Sequence, residues 1–192
     1  MMISQKALDL IIDAEGCDLS PAWPGGASGV TYGYGYDLGY NSKDQITKDW
    51  GSYVNGNVLS FMLLASGKTG LAAKMMIVPT TKILRITQQA AENVFRDKTL
   101  PRFKKLALDT YPGLDKLPED AQGAIVSLVF NRGTSFKGDS RKEMAELQPL
   151  IEAGDLKGMA DKIREMKRLW EGKGLNGLIT RRNNEAELID QA

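Results

Sequence analysis

The chain has 192 residues, 42% of them hydrophobic and 26% charged, with 25 Lys and Arg against 24 Asp and Glu for a formal net charge of +1. That length suits one domain, or two lobes around a cleft, with a real core, and the near-neutral charge argues against a general grip on nucleic acid. There is no histidine and only one cysteine, Cys17, which excludes Ser-His-Asp and Cys-His catalysis, an internal disulfide and His-based metal sites, so acid–base chemistry must come from carboxylates, lysines or tyrosines.

At the N-terminus, Met1 to Lys6 starts no long apolar run and Leu10-Ile11-Ile12 stops at Asp13, so neither a signal peptide nor a membrane span is expected. Ser4 reads as an N-cap, and Leu8, Ile11, Ile12 and Glu15 recur at helical spacing, with Gly16 placed to end the helix. Glu15 thus shares the apolar stripe in the last turn. Partial burial and the negative end of the helix dipole would both disfavour its charged form there, as a proton donor requires. A solvated Glu at a frayed end fits the same spacing.

Residues 18–29 are rich in Pro, Gly and Ser and read as loop. In the following run, Thr31-Tyr32-Gly33-Tyr34-Gly35-Tyr36-Asp37-Leu38-Gly39, a single straight strand would hold Thr31 and Asp37 about 20 Å apart. A turn at Gly33-Tyr34-Gly35 instead places them opposite each other, with Cβ atoms about 5 Å apart, and two glycines suit such a bend. A dinucleotide loop would need a third Gly and a following helix. Gly67-Lys68-Thr69 lacks the earlier Gly of a phosphate loop, since Met62 stands there.

Trp50, Val54, Val58, Leu59, Met62 and Leu63, then Leu71, Met75 and Met76, have helix-like spacing and are assigned to core, with Ile83 to Ile86 a short extended piece. Thr87 caps a helix through Ala91, Val94 and Phe95, and Pro101 and Tyr111-Pro112-Gly113 punctuate the stretch beyond it. Pro118 opens a helix along Ala121, Ala124, Ile125, Leu128 and Val129 that stops at Gly133. Asn131 and Arg132 at its end suit either substrate contact or packing. Residues 143–151, 156–170 and 180–189 give three more helices, and the basic stretch 162–182 reads as a solvated face before an anion-binding one. The predicted class is α+β with helix dominating around one small β hairpin.

The order Glu15-Gly16, then Thr31 through Gly39, resembles the phage-type lysozymes of glycoside hydrolase family 24, most of all the pesticin-like branch. Ile86-Thr87 through Phe95, Ser127 through Gly133, and Gly177 through Arg182 with Glu185 agree with that family in the same order. The resemblance implies a lysozyme-like domain over 1–192: a first helix (1–15), a smaller mixed lobe (16–85) and a larger helical lobe (86–192) flanking a cleft. It implies that Glu15 donates a proton to the glycosidic oxygen, and that Thr31 holds the attacking water. Many phage members place the second acid before the Thr, where residues 19–30 have none. Asp37 fills the pesticin-like position six residues after Thr31, with Asp18 in reserve. Tyr34, Tyr36 and Asn131 become sugar contacts, and Arg181 or Arg182 the arginine set against the catalytic Glu.

The implied reaction is hydrolysis, with inversion, of the β-1,4 bond between N-acetylmuramic acid and N-acetylglucosamine, without metal or cofactor. An inverting pair needs its carboxyls roughly 6.5–9.5 Å apart. A lytic transglycosylase and a non-catalytic peptidoglycan-binding module are the alternatives. Peptidoglycan strands are the expected partner, with a cognate immunity protein or delivery machine if the role is a toxin's. Nucleic acid and a membrane span are not expected. The expected protein is a monomer, made in the cytoplasm and acting on the wall after holin-type release or secretion.

Overall fold

Ser4 behaves as its position predicts: its hydroxyl accepts the Ala7 amide hydrogen at 3.1 Å, opening helix α1, Gln5–Glu15. The computed structural model describes every residue from 1 to 192. The chain forms two compact units, Met1–Ala14 with Arg102–Ala192, and Glu15–Pro101.

In the larger unit, α1 buries Ala7, Leu8 and Ile11. Its neighbour α7 (Glu119–Arg132) is buried continuously from Ala121 to Val129. The approach of the two is set by Gly123, where an added Cβ would fall 2.1 Å from the Ala7 Cβ. Gly123→Ala should therefore lower stability by about 1–3 kcal/mol, read as a lower thermal midpoint. Helices α8 (Lys142–Ala153), α9 (Leu156–Glu165) and α10 (Asn176–Asp190) complete this unit.

The Glu15–Pro101 unit carries a three-stranded antiparallel sheet in the order β1-β2-β3: β1 (Asp18–Ala22), β2 (Thr31–Gly33) and β3 (Tyr36–Asp37). Strand β1 corrects the expectation of loop over residues 18–29. It is an edge strand whose register slips between Asp18 and Ala22, so the missing N–H of Pro21 falls where the ladder is irregular. The expected hairpin is present, with Thr31 paired to Asp37 and Tyr32 to Tyr36. Gly33 and Gly35 make its bend at φ of 58° and 67°, a conformation that side chains disfavour.

The core under the sheet comes from α2 (Lys43–Trp50) and α3 (Gly56–Ala65): Trp50 is edge-on to Tyr36, and Phe61 to Tyr32. Two expectations fail here. Leu71 and Met75, assigned to core, are 70% and 72% exposed, because α4 (Gly70–Lys74) is a single short helix that buries only Ala73. Ile83 to Ile86 is not an extended piece. Thr81–Ile83 form a 3₁₀ turn, and of this stretch only Ile86 makes a backbone bond to the sheet edge, its amide donating to the Leu19 carbonyl at 2.9 Å.

Helix α5 (Gln88–Val94) continues through a π turn, Phe95–Thr99, into α6 (Leu100–Thr110). Pro101, expected as punctuation, lies inside that run, just past the wide turn that re-spaces the backbone hydrogen bonds. The compact unit that begins at Glu15 extends to Pro101. The reason is packing: Ala91 lies against Gly33, and the Phe95 ring sits 5.2 Å from that of Tyr34.

Candidate active site

Glu15 is half-buried in the last turn of α1, and Gly16, at φ 64°, turns the chain directly into β1. Asp18 opens that strand with its side chain exposed. Pairing sets Asp18 opposite Gly33 and Ala22 opposite Thr31. The buried Thr31 hydroxyl therefore lies against β1, where it donates to Asp18 Oδ2 at 3.3 Å and to the Ala22 carbonyl at 3.4 Å.

Asp37 shares the Thr31 rung, but its carboxylate points to the backbone. Oδ1 accepts from the Gly39 amide at 2.8 Å, and both oxygens accept from the Gly29 amide at 2.9 and 3.1 Å. The fit is close: a Cβ on Gly29 would stand 2.2 Å from Asp37 Oδ1. Such amide bonds hold a carboxylate in one orientation.

The tyrosines expected to touch sugar are packed inward. Tyr36 is 3% exposed and donates to Asp49 Oδ2 at 2.8 Å, while Tyr34 is 7% exposed and accepts from Gln88 Nε2 at 2.6 Å. Burial pushes the pKa of both the Tyr34 hydroxyl and the Cys17 thiol up. Neither ring lies open for stacking, because helices distant in sequence cover them.

In the larger unit, Asn131 is exposed at the end of α7, and Arg132 lies over the Trp170 ring at 4.9 Å. Burial lowers the Arg132 pKa to about 10. Arg181 and Arg182 are both buried and share the carboxylate of Glu185: Arg181 Nε and Arg182 Nη2 donate to Glu185 Oε1 at 3.3 and 2.8 Å, and Ser127 Oγ donates to it at 2.6 Å. The glutamate that these bonds engage is Glu185, four and three residues along the same helix, and not the Glu15 against which the resemblance sets one of the two arginines.

An open groove of about 530 Å³ runs along β1, lined by Cys17 to Ala22 with Ile77, Lys82 and Arg85. Sequence reasoning passed over Lys82 and Arg85. The available signal was that no acid stands between Asp49 and Glu92, while Lys68, Lys74, Lys82 and Arg85 do.

A family model of phage lysozyme matches residues 13–185, a span holding Glu15, Asp18, Thr31, Asp37 and both arginines. The chain belongs to the phage lysozyme family. Among solved structures, the active form of the P1 phage endolysin Lyz is similar, at 21% identity and a TM-score of 0.58, covering 98% of this chain and 85% of that one. That likeness concerns the fold. No curated protein matches the chain. As a phage lysozyme the protein is a glycoside hydrolase directed at peptidoglycan, of the α+β, mostly helical class that the sequence predicts. No helix is long and apolar enough to cross a membrane.

Proposed function

We propose that the protein hydrolyses the β-1,4 bond between N-acetylmuramic acid and N-acetylglucosamine, with inversion at the anomeric carbon. The observation that carries the reading is the family match over residues 13–185, which holds a helix-terminal Glu15 and a Thr31 flanked by two acids. Glu15 protonates the departing glycosidic oxygen. Thr31 and Asp37 hold and activate a water on the opposite face of the sugar. Supporting Asp37 are its place on the Thr31 rung and the amides that keep its carboxylate oriented. In this reading the protein works as a monomer after holin-type release or secretion, and a toxin role would add a cognate immunity protein.

One observation favours a second assignment of the water-holding acid. The carboxylate that receives the Thr31 hydrogen bond belongs to Asp18. Asp18→Asn and Asp37→Asn, assayed side by side on isolated cell walls with thermal unfolding as control, separate the two. In the first assignment Asp37→Asn loses about 10²-fold or more in rate while Asp18→Asn stays near the parent. The reverse pattern transfers the role to Asp18 and leaves Asp37 as the clamp on Gly29. Proton NMR of the first-formed reducing sugar should show the α anomer, and a β anomer would sink inversion. Release of anhydro-sugars would point to a transglycosylase instead.

A further inference from the structure

We propose that the groove beside β1 binds the acidic peptide stem carried by muramic acid, with Lys82 and Arg85 receiving its carboxylates. The inference rests on the peptidoglycan reading above and assigns this groove the part of the substrate that is not sugar. Its lining holds two cations and one acid, Asp18, whose carboxylate already accepts the Thr31 hydrogen bond. Neither cation is neutralised. Lys82 makes no ion pair, and Arg85 makes one side-chain bond, from Nη1 to Ser20 Oγ at 3.1 Å. That bond lays the guanidinium along β1 and leaves most of its planar fork of donors open, the geometry that takes a carboxylate through paired N–H bonds.

The segment that carries the two cations is fixed. Thr81 Oγ1 donates to the carbonyls of Met76 and Val78 at 3.0 and 2.8 Å, and it accepts the Val78 amide hydrogen at 3.0 Å. The Ile86 amide ties the chain just past Arg85 to Leu19 of β1. The backbone that carries both charges is thus held on one side of a preformed groove, so that binding has only the two side chains to order. Ile77, Pro21 and Ala22 add an apolar part to its lining, suited to the alanine methyls of a short stem. The acid-free run from Trp50 to Ala91 removes competing carboxylates of the same segment, so an incoming anion meets a local positive field.

The test is calorimetric titration of the intact protein with three soluble probes. They are the N-acetylglucosaminyl-N-acetylmuramyl tetrapeptide, the same compound with its peptide carboxylates amidated, and chitobiose. The acidic probe should bind about tenfold tighter than its amidated form at low salt, a preference that fades as salt rises. Lys82→Gln with Arg85→Gln should erase the preference without changing binding of the amidated probe, and Lys82→Glu alone should weaken the acidic probe selectively. Equal binding of the acidic and amidated probes, no measurable binding of the acidic probe, or a double variant that keeps the preference would overturn the proposal. Cell-wall hydrolysis by the parent protein is read separately. If hydrolysis is absent while the preference stands, the hydrolase reading fails and the site survives; if hydrolysis proceeds without the preference, the site alone falls.

Discussion

Glu15→Gln is expected to slow wall hydrolysis by about 10²–10⁴-fold, the usual contribution of a positioned proton donor. Gln keeps the length and shape of Glu at the end of α1 but carries no proton to give. Thermal unfolding of the variant is the control that separates a loss of chemistry from a loss of fold. The loss should appear in kcat more than in KM, since the donor acts on the leaving oxygen in the transition state. A well-folded variant that clears cell-wall suspensions at the parent rate would remove Glu15 from the chemistry.

Glu185→Ala should produce the largest loss of stability in the chain. The Glu185 carboxylate is fully buried and accepts from Ser127, Arg181 and Arg182. Taking it away leaves two buried guanidiniums without that counter-charge, at a cost of about 3–5 kcal/mol. For a chain of this size each kcal/mol lowers the midpoint by about 2–4 °C, so a fall of about 6–20 °C is expected by calorimetry. Glu185→Gln, which keeps one acceptor oxygen, should fall less. A midpoint within about 2 °C of the parent for Glu185→Ala would show that other groups already balance the two arginines.

Much of the fold could be read from local chemistry. The Ser4 and Thr87 caps, the glycine bend between β2 and β3, and the Gly133 stop each depend on one or two neighbouring residues, and each is where the sequence places it. What escaped depends on partners far along the chain. Strand β1 has neither alternation nor β-branched residues and exists because β2 offers it a backbone to pair with. The exposure of Leu71 and Met75 follows from how little α4 packs on its unit, although their spacing alone suits a core stripe. The π turn compensates for Pro101 in a way that composition does not announce.

The site divides along the same line. The Thr31–Asp37 pairing was legible because a turn of known length fixes register. The Thr31–Asp18 bond was hidden because it requires β1, which reads as loop. The burial of Tyr34 and Tyr36 depends on Phe95 and Trp50, which reach the hairpin from the turn after α5 and from α2. Arg181 and Arg182 could not be told apart by periodicity. Their shared bond to Glu185, within a turn of each, is a separate contact that their spacing permits.

The outer margins of the sheet also govern how copies of the chain meet. An unpaired strand is a template on which a second molecule can stack and grow into fibrils. Here β1 spans only five residues, carries Pro21 in place of a donor, slips its register, and has its Leu19 carbonyl already occupied by Ile86, while β3 at the far margin is two residues long. Crowded copies of this protein therefore find no continuous ladder to extend, and concentrated solutions should resist amyloid-type growth while the fold is intact.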